Sequence, residues 1–177
     1  MQPEATTLAY LAGMIDGDGY ITINQSRHGS SFYFGPQVGI AGTRREPHDL
    51  AASIWGGKVG VYHSKSGHRP QFQWSRQGSP AVPIIEALRP YLLVKREQAD
   101  LALDLWRLTE DARQTRDDPF PWFGPDFDPT EACRDLRREM IDLNQSRNRV
   151  GKKAAGRLLD GREWNEFPTT SHRERVG

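Results

Sequence analysis

The run Leu11–Tyr20, LAGMIDGDGY, sets three glycines and two aspartates directly behind a short apolar segment. A packed core suits neither residue type, because glycine weakens a helix and an unpaired carboxylate is costly to bury. Upstream, Leu8, Leu11, Ala12 and Ile15 fall at i, i+3, i+4 and i+7, which predicts a helix over residues 5–16 with one apolar stripe. Thr6, Ala9, Gly13 and Asp16 lie on a neighbouring face where nothing bulky holds another backbone away. Gly17 is expected to end this helix, with Asp18 on the turn that follows.

From Gly19 the period changes to two. Ile21 and Ile23 alternate with Tyr20, Thr22 and Asn24. Beyond HGSS, Phe32, Phe34 and Val38 alternate with Tyr33, Gly35 and Gln37, which predicts a hairpin. A helix is expected from Glu46 to Trp55, opened by Pro47 and closed by Gly56 and Gly57. Val59 and Val61 then alternate with Gly60 and Tyr62, while Phe72 and Trp74 alternate with Gln71, Gln73 and Ser75. These strands predict an α+β fold: a four-stranded antiparallel sheet with one greasy face covered by helices and one polar face. The polar face carries amides and hydroxyls, which offer both donors and acceptors and suit base edges. Further helices are expected over 80–93, 94–113 and 130–143, with a proline-studded loop at 117–129.

Composition bounds the remaining possibilities. With 36% hydrophobic and 27% charged residues in 177, the sequence reads as one globular domain over 1–168. A basic helical extension begins at about residue 144, and 169–177 reads as a flexible tail. The single cysteine, Cys133, excludes an intrachain disulfide and a cysteine-rich zinc site. No apolar run is long enough for a membrane span and no targeting signal is readable, so a cytoplasmic or organellar location is expected. The net charge of +1 hides an uneven distribution: Arg147, Arg149, Lys152, Lys153 and Arg157 follow one another with no acid between them.

Leu11–Gly19, LAGMIDGDG, resembles the signature of the LAGLIDADG homing endonucleases, differing at Met14 and Gly17. The predicted order αββαββα agrees with that family, whose sheet is saddle-shaped. The segment AGRLLDGRE near residue 157 echoes the motif, but an extra residue separates Gly156 from Asp160 and no strands follow. One copy per chain is similar to the homodimeric members. The resemblance implies a site-specific, metal-dependent double-stranded DNA endonuclease that cleaves a pseudo-palindromic site of roughly 20 base pairs. It also leaves an intron RNA maturase or an inactive DNA-binding regulator as alternatives on the same scaffold.

By the same resemblance Asp18 is the catalytic acid and, with the carbonyl of Gly17, a metal ligand. Paired carboxylates at two helix ends repel unless a cation lies between them, and hard oxygen ligands select Mg2+, with Ca2+ able to occupy the site without turnover. Lys95 aligns with the family's basic residue that helps activate water, and Arg44 with a basic position near the scissile phosphate. Ile40 falls where the family often has a polar side chain. Ala9, Ala12, Gly13 and Asp16 are expected at the dimer interface. The expected DNA-binding residues are Tyr20, Thr22, Asn24, Ser26, Tyr33, Gln37, Arg45, Tyr62, Arg69, Gln71 and Gln73 on or beside the sheet. Arg147, Arg149, Lys152 and Lys153 are expected to contact the phosphate backbone from the extension.

Overall fold

Apolar alternation organises the chain around one sheet. The computed structural model describes residues 3–29, 31–63, 69–114 and 129–158. Helix α1 (Ala5–Asp18) leads into strands β1 (Gly19–His28) and β2 (Ser31–Gly42), followed by α2 (Glu46–Trp55), β3 (Gly60–Tyr62) and β4 (Gln71–Gln77). Helix α3 (Val82–Leu88), flanked by single 3-10 turns, precedes α4 (Arg96–Gln114) and α5 (Pro129–Leu158). The strands are antiparallel in the order β1-β2-β4-β3. This is the predicted α+β class.

Register puts the β-branched and aromatic residues on one side. Ile21 pairs with Val38, and Ile40 with Trp74; all four are buried. Leu11 and Ile15 of α1, Ile84, Ile85 and Leu88 of α3, and Ala99, Ala102 and Leu105 of α4 complete the core against that face. Helix α2 follows its predicted bounds because Pro47 fits its first turn, whereas Gly56 and Gly57 adopt φ of 70° and 96° at its end.

Two expectations are corrected. Helix α1 does not stop at Gly17: it runs through Asp18, and the N–H of Gly19 bonds to the carbonyl of Ile15 as the chain turns straight into β1. No loop separates helix from strand. Ala12, expected at an interface, has no exposed surface, because its methyl faces the core of its own chain. The basic run from about residue 144 lies within α5. The chain divides into two compact units at Ile141 and Asp142, and α5 belongs partly to each. The expected loop at 117–129, apart from Pro129, and the tail from 169 lie outside the described residues.

Two local features fix α1. At Gly19 a Cβ would lie 2.6 Å from the Ile15 Cα and 2.7 Å from the Gly39 carbonyl oxygen, so only glycine lets the strand start this close to helix and neighbour. At Asp16 the carboxylate accepts the backbone N–H groups of Leu93, Val94 and Lys95 at 2.7, 3.0 and 2.8 Å. Three consecutive amides make a concave anion receptor, and a carboxylate from another element fills it. Lys95 is also where α4 begins, since its carbonyl accepts the N–H of Ala99. Asp16 therefore ties the end of α1 to the start of α4.

Both features predict a loss of stability readable by thermal unfolding. Gly19→Ala is expected to cost about 1–3 kcal/mol through overpacking. Asp16→Ala is expected to cost about 1–2 kcal/mol, the range for a lost capping carboxylate. At this chain length each kcal/mol lowers Tm by about 2–4 °C.

Candidate nucleic-acid interface and its acidic end

The polar face of the sheet is built by the same alternation that builds the core. On β1 it carries Tyr20, Thr22, Asn24 and Ser26, which pair across to Gly39, Gln37, Gly35 and Tyr33 of β2. On β4 it carries Gln71, Gln73, Ser75 and Gln77, with Tyr62 of β3 opposite Gln71. Tyr33 and Tyr62 are exposed at 57% and 59%. Tyrosine offers a flat apolar ring and a polar tip, so this face is wet without being highly charged.

The side chains on this face bond to one another. Asn24 Nδ2 donates to Gln77 Oε1 at 3.3 Å. The Nε2 groups of Gln37 and Gln73 both donate to the Tyr20 hydroxyl oxygen, each at 3.3 Å. Sequence reasoning placed Tyr20, Gln37 and Gln73 on the face but omitted Gln77 from the binding set. The alternation from Gln71 through Gln77 already marked it.

At one end of the sheet stands the acidic residue. Asp18 is the last residue of α1 and is exposed. Gly19 pairs with Ile40, so β2 continues past the end of α1 through Ala41 and Gly42 towards Arg44. Arg44 is exposed at that same end of the sheet. Lys95 arrives from the start of α4 and its Nζ donates to the backbone carbonyl of Asp16 at 2.6 Å. That carbonyl belongs to the last turn of α1, where helix carbonyls lack intrahelical donors and the dipole favours a cation. The structure thus brings Lys95 to the turn that carries Gly17 and Asp18. Arg89 holds the preceding 3-10 turn to α4 by bonding to Asp100, whose hydrogen bond and charge push the guanidinium further up.

Other predicted residues are placed as follows. Ile40 is buried in the core, so it offers nothing to a water network. Arg45 starts α2, where its guanidinium pairs with Asp49 at 3.0 Å and lies over the Phe72 ring. Such an exposed pair is weak and leaves Arg45 free to exchange partners. Arg69 is exposed just ahead of β4. Arg147, Arg149, Lys152 and Lys153 fall within α5, but their side chains lie outside the described ones. Among the described residues no group of three or more His, Cys, Asp or Glu could hold a metal ion. No described helix is long and apolar enough to cross a membrane.

Along α1, Thr6, Ala9, Tyr10, Gly13 and Gly17 form one exposed face. A Cβ added at Gly13 or Gly17 would meet nothing within 4 Å. Tyr10, missed by the sequence reading, is 49% exposed on this face. Leu93 and Val94, whose amides hold Asp16, are 85% and 49% exposed. Their apolar character was visible in the sequence, but their exposure depends on a contact 77 residues away in the chain.

No protein-family profile matches the sequence, and no curated protein matches it. Solved structures do. The homing endonuclease I-CvuI, in complex with a DNA target in the presence of magnesium, is similar at 20% identity and a TM-score of 0.58 over 78% of this chain and 82% of that one. The archaeal intron-encoded homing endonuclease I-Vdi141I, complexed with DNA, is similar at 10% identity and 0.58 over 80% and 86%. The homing endonuclease I-TnaI is similar at 13% identity and 0.55 over 85% and 99%. With LAGMIDGDG spanning the joint between first helix and first strand, the chain has the fold of the LAGLIDADG homing endonucleases.

Proposed function

We propose that the chain is a homing endonuclease of this type, cleaving double-stranded DNA as a homodimer. The observation that carries the reading is the exposed Asp18, two residues beyond the Asp16 carbonyl that Lys95 grips, at the end of a sheet whose open face is lined with amides and hydroxyls. The sheet face would lie in a major groove, which admits a β-ribbon and presents a distinct donor and acceptor pattern for each base pair. The basic residues of α5 would hold the backbone without reading sequence.

Self-association follows from the exposed face of α1. Gly13 and Gly17 each weaken a helix by about 1 kcal/mol relative to alanine, and neither glycine is required by space within its own chain. Close approach of a second copy's helix explains both. Tyr10, Leu93 and Val94 would add apolar area around that contact. A twofold axis there brings two Asp18 carboxylates together, one from each chain.

The donor set fits a hard divalent cation. Asp18 and the Gly17 carbonyl supply oxygen ligands, which suit Mg2+ or Ca2+ and not zinc. Among the described residues one chain supplies a single carboxylate at this place, so a second copy would complete the set. When bound, such a cation neutralises charge on the phosphate and acidifies a water. Asp18 would hold it, Lys95 would keep a positive charge beside the helix end, and Arg44 would bond a phosphate oxygen.

Incubation with a randomised duplex library and magnesium is expected to give cleavage that Asp18→Asn abolishes while binding persists. Lys95→Met should slow cleavage by about 10²-fold or more if the ammonium takes part in proton transfer. Binding without wild-type cleavage would indicate an inactive regulator, and preferential binding of intron RNA a maturase. Duplex binding should fall steeply between about 50 and 200 mM salt. Gly13→Ala should leave unfolding unchanged or raise Tm, while sedimentation shows weakened self-association; unchanged association would remove α1 as the interface.

A further inference from the structure

We propose that Tyr20 is a positioning residue for sequence recognition: its hydroxyl couples the amides of Gln37 and Gln73 so that at least one of them keeps its carbonyl oxygen for a base. The inference rests on the DNA-binding reading of the sheet face given above.

The phenol lies across β2 rather than standing away from the sheet. A Cβ at Gly39 would come within 2.7 Å of both the Tyr20 Cζ and its hydroxyl oxygen, so the ring occupies the room that glycine leaves. From there the hydroxyl meets Gln37, on the same strand as Gly39, and Gln73, on the next strand. All three side chains are part-buried, unlike the exposed Tyr33 and Tyr62.

The chemistry of the hub restricts both amides. A free glutamine flips readily, exchanging its carbonyl for its NH2, and so presents either polarity to a base. A phenol has one proton. If both amides flipped, two carbonyl oxygens would face the hydroxyl and a single O–H could satisfy only one of them. At least one glutamine must therefore donate from Nε2, and both Nε2 atoms lie 3.3 Å from the hydroxyl oxygen. An amide that donates to the hydroxyl keeps its carbonyl oxygen and one N–H. That pair complements adenine, which offers the N6 donor and N7 acceptor side by side in the major groove. The tether also reduces the rotamer freedom lost on binding, which favours a directional contact over a mobile one.

Two measurements on the full-length protein test this. In the free protein, side-chain amide NMR signals of Gln37 and Gln73 should shift together in Tyr20→Phe, which removes the hydroxyl but keeps the ring over Gly39. The Asn24 signal, bonded to Gln77, should stay in place. With a randomised duplex library, wild type should prefer adenine at the positions where Gln37→Ala and Gln73→Ala relax the preference. Tyr20→Phe should relax those same positions, lowering discrimination by about tenfold at each, with other positions unchanged. Independent or absent amide shifts would overturn the coupling, whatever the protein binds. Full base preference in Tyr20→Phe would overturn the recognition role. Coupled shifts with no duplex bound by wild type would overturn both the DNA reading and the role built on it, while leaving the hub itself standing.

Discussion

The carboxylate of Asp16, held by three amides just ahead of α4, is the contact on which the geometry of this molecule turns. It converts the end of α1 from a frayed terminus into a fixed point, because α4 itself packs on β1 and β2. Lys95 returns the contact by donating to the Asp16 carbonyl. A side chain and a backbone group of one residue thus grip the backbone and the side chain of another. The acidic end of the sheet inherits that rigidity, since Gly17 and Asp18 are the next two residues and Gly19 is locked between Ile15 and Gly39. No flexible segment separates the clamp from Asp18.

Much of this was legible where a local period decides the outcome. The i, i+3, i+4, i+7 spacing of Leu8, Leu11, Ala12 and Ile15 gives α1, and strict alternation gives the sides of β1, β2 and β4. Pro47, Gly56 and Gly57 mark α2 because one fits only a first turn and the others accept positive φ. What escaped depends on distant partners. Gly17 looks like a helix stop until the amides near Lys95 and the Gly39 carbonyl are in place, after which the helix continues and the stop moves to Gly19. Ala12 belongs by size to the small residues of α1, yet its angular position belongs to the apolar stripe, and position prevailed. The Tyr20 hub was invisible because it joins three strands, and strand register cannot be read from alternation alone.

Glycine performs three separate tasks in this chain. Gly19 and Gly39 are small because neighbours within the same chain already fill the space a side chain would need. Gly29, Gly56, Gly57 and Gly78 are glycine because the backbone has positive φ. Gly13 and Gly17 satisfy neither condition: they are helical, and the space beside them is open. Among the described residues nothing gives a return for two glycines in one short helix. In the proposed dimer that return comes from the second copy, which makes the exposed face of small residues, the exposed Asp18 and the apolar pair Leu93–Val94 one feature and not three.

That grouping separates stability from activity in the proposed endonuclease. The core residues and the Asp16 clamp are complete within one copy, so the fold does not wait for a partner. The proposed carboxylate set would be incomplete without one, because among the described residues each chain would bring Asp18 alone to the axis. Electrostatics then makes assembly and ion binding mutually dependent: two like charges at two helix C-termini oppose the dimer until a cation neutralises them, and one carboxylate alone holds a hard cation weakly. Phosphate oxygens from DNA would supply further ligands at the same place. Cation affinity should therefore rise with protein concentration and rise again on target binding, a linkage that a site built wholly inside one chain would not display.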